Sequence, residues 1–228
     1  MDIDIVSGGA FHSALVRLEP GETFVSDAGA MFRSSTNMDI DVSVRSRGGG
    51  ILKGLGRMLG GDSFFLSTYK TLDGSSGEVG IAPTLQGEVR VVELDGGTPW
   101  LCAGGSFLGC GGDIEMDTKF QGLKGIFSGE SLFFVQAKGH GPLVVNAYGR
   151  ISEVEVTDEL VVDTGHVVAF EESLQYSLTK MGSSWLHSYL AGEGFVLHFR
   201  GQGRLLVQSH NPKETGSRLG KRLPPRRR

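Results

Sequence analysis

One spacing pattern occurs three times along the 228-residue chain and constrains the fold more than any other feature. The segments that align, the third after a two-residue deletion, are 18–44, 94–120 and 156–180. Gly29, Gly105 and Gly165 coincide in this alignment. Self-similarity at a regular period is the sequence signature of tandem architectures. The chain is therefore predicted to contain three similar units in series, with these glycines superposed.

The pattern inside each copy is typical of β-structure. A large apolar residue precedes each glycine by five positions, and an alternating apolar and polar stretch begins nine positions after it. The alternating apolar residues are Met38, Ile40, Val42 and Val44, then Ile114, Met116, Thr118 and Phe120, then Leu174, Tyr176 and Leu178. A period of two indicates strands with one buried face. The 36 glycines, more than twice the usual share of about 7%, suit tight turns between short strands.

The repeats predict how the chain is divided. The predicted all-β units are 1–83, 84–148 and 149–212, followed by a basic flexible tail, 213–228. Residues 211–228 contain seven Lys or Arg and one Glu, a net charge of +6. The chain's total of −4 therefore leaves −10 on residues 1–210. The tail is interpreted as a solvated arm, with contact to RNA or to anionic lipid as the alternative.

An amphipathic connector occupies the same place in each unit, at 48–61, 122–128 and 183–191. In the first connector, apolar residues at helical spacing share one face: Ile51, Leu55, Met58 and Leu59. Because every unit has such a connector, we expect this face to pack on protein, within the subunit or at an oligomer contact. Membrane contact is the alternative interpretation.

A basic residue ends the strand before a glycine-bearing turn in each predicted unit: Lys70, Lys138 and Arg200. A basic residue at the same turn of each unit is one route to RNA binding. Against it stands the acidic body, because nucleic-acid affinity rests mainly on phosphate neutralisation. Basic residues at hairpin ends also keep strand edges soluble.

The sequence contains no pattern that indicates an enzyme. The six histidines include no His-x-His pair, and His166 near Glu171 and Glu172 is the closest approach to a metal-binding set. No glycine-rich phosphate loop and no nucleophile motif is present. Cys102 and Cys110 match no zinc spacing and are interpreted as small buried side chains. We expect no catalytic residue, no metal and no cofactor.

These stretches also carry a family resemblance. The motifs "ALVRLEPGETFVSDAGAM", "GGGILKGLGRMLGGDSFFLSTY", "LKGIFSGESLFF" and "DTGHVVAFEESLQY", with "NP" after the last strand, resemble the Altered Inheritance of Mitochondria protein twenty-four family over about residues 3–212. The resemblance implies three repeats of a short double-stranded β-helix similar to the tryptophan RNA-binding attenuator protein. It also implies a ring-like homotrimer and a link to mitochondrial membrane organisation, and it brings no active site.

The sequence hypothesis is therefore a non-enzymatic homotrimeric β-protein that acts as a scaffold or interaction module for a protein client that the sequence does not identify. The family link extends this expectation to a role near a membrane. The alternative is a ring-shaped binder of RNA or of a small ligand. The acidic start, the absence of an 18-residue apolar run and two cysteines that match no disulfide framework predict a cytoplasmic protein without a transmembrane segment.

Replacing Leu55 by Asp tests the connector. If its apolar face is covered by protein, the carboxylate loses hydration there, and folding or assembly weakens. Melting temperature, oligomer mass and liposome sedimentation of this variant distinguish the alternatives. Unchanged stability and mass with loss of liposome binding would instead establish a membrane contact.

Overall fold

The structure is a computed structural model that describes residues 1–45, 64–120, 133–180 and 195–224. The connector residues Ile51, Leu55, Met58 and Leu59 lie outside the described residues. The described part consists almost entirely of short strands: β1 (Asp2–Val6), β2 (Ser13–Leu18), β3 (Thr23–Asp27), β4 (Met31–Ser34), β5 (Met38–Arg45), β6 (Phe64–Thr71), β7 (Gly77–Ile81), β8 (Val89–Asp95), β9 (Trp100–Ala103), β10 (Phe107–Gly111), β11 (Glu115–Phe120), β12 (Phe133–Lys138), β13 (His140–Asn146), β14 (Ile151–Val156), β15 (Glu159–Asp163), β16 (Val167–Glu171), β17 (Gln175–Lys180), β18 (Phe195–Arg200) and β19 (Gly203–Gln208). The chain is therefore all-β, as the alternating pattern predicts.

The strands form two six-stranded sheets flanked by two smaller ones. The strand orders are β1-β2-β7-β4, then β5-β6-β3-β10-β13-β8, then β11-β12-β9-β16-β19-β14, then β15-β18-β17. Adding six to each strand number of the first large sheet gives the order of the second. All the pairings within these sheets are antiparallel, so neighbouring strands can be joined by tight turns.

Two strand pairs join the successive segments of the chain, and we call them the joints. In the first joint β3 pairs with β10, and in the second β9 pairs with β16. The first aligns Gly109 with Ser26 and Cys110 with Val25. The second aligns Ala169 with Cys102 and Phe170 with Leu101. The core continues across both joints, because Leu108 packs in one cluster with Phe24 and Val79, and Phe134 packs in one cluster with Phe170 and Phe199.

The turns after β3 and β9 use glycine as expected, whereas the turn after β15 does not. Gly29 and Gly105 have φ values of 89° and 84°, a left-handed conformation that strains other residues. Gly165 instead lies in a 3-10 helix, Thr164–His166, and does not have a positive φ. The Asp163 side chain accepts a hydrogen bond from the Gly165 N–H at 2.8 Å. This local cap replaces the left-handed turn, so the three glycines do not share one backbone conformation.

The segment after β19 begins with a helix, α1 (Pro212–Gly220), where the sequence predicts a flexible tail. The Asn211 side chain caps it by accepting hydrogen bonds from the Lys213 and Glu214 N–H groups. Pro212 occupies the first turn, where its missing N–H is not needed. Glu214 and Arg218 form an ion pair at 2.6 Å along the helix. These local signals are sufficient to begin a helix that the charge pattern alone does not reveal.

Gly87 is the point at which three segments of the chain meet, since it bridges both Phe11 and Gly149 in parallel. A Cβ at Gly87 would collide with the carbonyl oxygen of Ala147 and lie 2.6 Å from the Gly149 nitrogen. These are backbone atoms, which cannot rotate away. Gly87→Ala is therefore expected to lower the free energy of unfolding by about 1–3 kcal/mol, measured by urea denaturation.

Gly8→Ala is the matched control for this variant. Gly8 is also a loop glycine, but an added Cβ would meet only the Phe11 carbonyl oxygen at 3.6 Å, an ordinary contact. Equal stability of the two variants would show that Gly87 is not tightly confined.

Candidate interaction surfaces

The basic residues predicted from the sequence lie at equivalent places, and each faces a carboxylate on the neighbouring strand. Lys70 near the end of β6 is opposite Asp39 of β5, and Lys138 at the end of β12 is opposite Glu115 of β11. Side chains directly opposite each other in an antiparallel pair share one face of the sheet. These two positions therefore combine a cation and an anion on one face rather than presenting positive charge alone.

Arg200 is neutralised by direct contact. It lies opposite Glu159 of β15, and its Nε is 2.6 Å from the Glu159 carboxylate. Both side chains are more than half exposed, so the pair contributes at most about 1 kcal/mol to stability. Its main consequence is electrostatic, because a bound phosphate would have to compete with an acid that is already in place.

Among the strands at sheet edges, two belong to the kinds of strand that form the joints elsewhere in the chain. β4 pairs only with β7, and β15 pairs only with β18. By their register, β4 corresponds to β10 and β16, and β15 corresponds to β3 and β9. The corresponding strands form the two joints, whereas β4 and β15 are left as sheet edges. Exposed sheet edges readily pair with another strand.

Apolar side chains are buried in the strands that form the joints and exposed in the edge strands β4 and β15. The joint residues that correspond to Met31 and Phe32 are only 0–2% exposed; they are Phe107 and Leu108 in β10, and Val167 and Val168 in β16. In β4 the equivalent Met31 and Phe32 are 39% and 53% exposed. In β15, Val161 is 48% exposed, although its counterpart Leu101 is 1% exposed. These three exposed residues, Met31, Phe32 and Val161, are called the edge residues.

Part of the apolar face predicted for β5 is exposed, contrary to the alternation argument, although Met38 at the start of the strand is buried. Ile40 and Val42 are 38% and 62% exposed. The counterpart of Ile40 in β17, Tyr176, packs edge-to-face on Phe134 of the preceding segment, with ring centroids 5.4 Å apart. No described segment precedes the first one in this way, so Ile40 lacks the corresponding cover.

Sequence reasoning missed the edge residues. The sequence shows that these residues are apolar, but their buried counterparts are apolar too. The repeated sequence pattern therefore does not indicate which apolar residues are exposed. A signal does exist, because in any open series of paired units the terminal strands must lack a neighbour.

The described residues offer little chemistry beyond packing. Among them, no group of three or more His, Cys, Asp or Glu side chains is placed to hold a metal ion. His166, the closest sequence candidate, uses its Nδ1 in a 2.8 Å hydrogen bond with the Gln208 carbonyl oxygen. Cys102 and Cys110 are buried, and desolvation, with the nearby Cys110 thiol, raises the pKa of the Cys102 thiol far above its usual range.

The described part of the chain is therefore an all-β protein with several sheets, in which β4 and β15 are edge strands. None of the helices in the described part is long and apolar enough to cross a membrane. The chain matches the Mitochondrial biogenesis AIM24 family over residues 4–210, and it belongs to that family.

Two streptococcal proteins are similar to this chain. An uncharacterized protein of Streptococcus pyogenes serotype M6 is 27% identical over 216 residues, which covers 92% of this chain and 86% of that protein. A crystal structure of a protein from Streptococcus pyogenes is similar with a TM-score of 0.81 and 25% identity, covering 97% of this chain and 99% of that one.

The burial of the two thiols predicts their reactivity. A raised pKa leaves almost no thiolate, the reactive form, at pH 8. We expect neither Cys102 nor Cys110 to be labelled by a thiol reagent in the folded protein, and both to be labelled in urea, measured by intact-mass spectrometry. Rapid labelling of either thiol without denaturant would contradict the packing described here.

Proposed function

We propose that this chain is a non-enzymatic scaffold that assembles head-to-tail into a homotrimeric ring, with β15 of one copy pairing with β4 of the next. The observation that carries the proposal is the pair of open edges, whose counterparts inside the chain are already paired with each other. In this proposal the chain consists of three tandem units, and the contact between copies repeats the joint between units.

The register of the two joints supports this contact. In both joints the residues pair at equivalent positions, as Cys110 with Val25 and Phe170 with Leu101. Applying the same register between copies pairs Ser34 with Val161 of the next molecule. The Ser35 N–H is already used, since it donates to the Glu78 carbonyl oxygen at 2.8 Å. Alternate residues of a strand point their N–H groups to opposite sides, so that of Ser34 is available to the edge.

Apolar complementarity supports the same contact. Leu101 and Phe134 come from the middle of the chain and pack into the core cluster that holds Phe170 and Phe199. Their counterparts in the last segment are Val161 and Val196. Leu101 shares its cluster with Val167 and Tyr176, so in the proposed ring Val161 would cover Met31 and Ile40 of the next copy. Phe32 would lie against Leu160, as Leu108 lies beside Phe24. Burial of a large apolar side chain contributes about 1.5–3 kcal/mol, so this contact would favour assembly.

Head-to-tail contacts between identical molecules give either closed rings or open filaments. Closure is the outcome that leaves no copy of β4 or β15 without a second neighbour. The number of copies, three, follows from the family resemblance. A ring of this kind has no need of catalytic groups, and its role would be to hold a protein client, including one near a membrane. A cytoplasmic location stays a prediction that cell fractionation tests.

RNA binding is the less favoured alternative. The carboxylates Asp39, Glu115 and Glu159 lie opposite the three basic residues that suggested it. A further group of basic residues lies near the C-terminal end of the described part, where α1 is followed by Lys221 and Arg222. Contact with RNA or anionic lipid would therefore depend on this end of the chain, and removal of residues after 210 would abolish it.

The first test is the mass in solution. Light scattering on a sizing column should give about three times the 24.4 kDa of one chain. A stable monomer at micromolar concentration would contradict the assembly, and a broad series of masses would indicate open filaments instead of a ring.

Phe32→Asp tests the edge itself. Phe32 is 53% exposed in the single chain, so we expect a folded protein that fails to assemble, because assembly would bury the carboxylate. Circular dichroism reports the fold and light scattering reports the mass. The matched control is Leu72→Asp, which changes an apolar residue that is 65% exposed and belongs to neither β4 nor β15. A trimeric Phe32→Asp variant would contradict β4 as the contact.

The scaffold role is tested separately by affinity purification of the intact protein with mass spectrometry of proteins and small molecules. A scaffold should retain specific protein clients that the Phe32→Asp variant loses. Catalytic turnover by the purified protein alone would contradict the proposed role.

A further inference from the structure

The turns that follow β3, β9 and β15 line one cleft, with a volume of about 650 Å³. We call it the turn cleft, and its turn segments are 27–30, 103–106 and 164–165. The volume lies within the range of about 300–1,000 Å³ that is common for small-molecule sites. Apolar and aromatic side chains form much of the wall, among them Leu85, Leu108, Phe133, Tyr148 and Val167.

Two polar side chains that line the turn cleft, Asn146 and Gln208, form hydrogen bonds with backbone groups of the protein. The Asn146 amide donates to the Gly105 carbonyl oxygen at 3.2 Å. The Gln208 side chain accepts from the Tyr148 N–H and donates to the Gly165 carbonyl oxygen, both at 2.8 Å. At the start of α1, the Asn211 side chain already accepts the first N–H groups. These groups are therefore committed to the fold rather than available to a ligand.

Asp27 differs from them and from its own counterparts. The corresponding last residue of β9 is Ala103. The last residue of β15, Asp163, accepts hydrogen bonds from Gly165 and Asn211. Asp27 is half-buried, and within the described residues it forms no ion pair. Burial raises the pKa of the Asp27 carboxyl, and the nearby Ala28 N–H, which donates to the Phe65 carbonyl oxygen at 3.0 Å, offsets this only in part. A half-buried carboxylate without a cationic partner costs free energy that a bound cation would offset.

We propose that the turn cleft binds a small organic cation, a primary amine with an apolar body, whose ammonium group pairs with Asp27. The aromatic and aliphatic wall residues would cover the apolar body, and an ammonium near an aromatic face gains a further favourable interaction. Lys213 lines the same cleft and is exposed, and it would favour an anion instead. The test therefore includes an anionic probe.

This inference does not depend on the proposed ring. Asp27 belongs to β3, whose partner β10 lies in the same chain, so this end of the turn cleft exists in a single copy. Light scattering of each sample reports the assembly separately. Failure of the ring and failure of the ligand site are thus distinguishable.

Titration calorimetry with three probes of similar size tests the proposal on the full-length protein. The probes are 2-phenylethylamine, the neutral 2-phenylethanol and the anionic 3-phenylpropionate. We expect saturable binding of the amine with a dissociation constant of about 1 mM, as suits so small a ligand. Binding of the alcohol should be about tenfold weaker or more, since it lacks the charged contact. Equal binding of amine and alcohol, or preference for the anion, would overturn the proposal.

Asp27→Asn is the decisive variant, because it keeps the shape of the side chain and removes its charge. It should weaken amine binding about tenfold or more without lowering the melting temperature. The matched control is Asp113→Asn, an exposed aspartate that does not line the turn cleft, and it should bind the amine like the parent protein. Undiminished amine binding by Asp27→Asn, or no saturable binding by the parent protein, would overturn the proposal.

Discussion

Antiparallel pairing across the two joints, β3 with β10 and β9 with β16, is the interaction on which the rest of the structure depends. Each joint merges strands from successive segments into one six-stranded sheet. The pairing also brings apolar residues of one segment into the core of the next, as Leu108 shows beside Phe24. Small isolated sheets are marginally stable, so continuity across the joints gives short strands a common core.

The pairing at the joints also explains why β4 and β15 are edge strands. A series of paired segments has one strand of each kind left over, and here these are β4 and β15. Both edges carry ion pairs, Arg33 with Glu78 at 2.6 Å and Arg200 with Glu159 at 2.6 Å. Charges at a sheet edge hinder indiscriminate pairing. In our proposal the ion pairs disfavour other strands, whereas the edge residues favour one partner, another copy of this chain in the matching register.

The sequence predicts the strands far better than their surroundings. The alternation around Met38 and Tyr176 specifies strands because a period of two is a local property of the backbone. Ile40 is exposed, whereas its counterpart Tyr176 packs on Phe134. This difference depends on whether another segment of the chain lies beside the strand, which the local sequence does not specify. Gly165 shows a related limit, because its turn is decided by the capping of Asp163. The place of Asp27 in the turn cleft likewise depends on turns far apart in the chain, and no motif predicts it.

A register-specific disulfide between copies tests whether β15 of one molecule pairs with β4 of the next. Arg33 and Val162 would face each other in a pair without mutual hydrogen bonds, with Cα atoms about 4.5 Å apart, a spacing that a disulfide can bridge. The variant carrying Arg33→Cys and Val162→Cys should give a covalent trimer on a non-reducing gel after mild oxidation. The variant carrying Arg33→Cys and Val161→Cys, one residue out of register, should stay monomeric on the same gel. Equal cross-linking of both variants, or monomer alone from the first, would contradict the account.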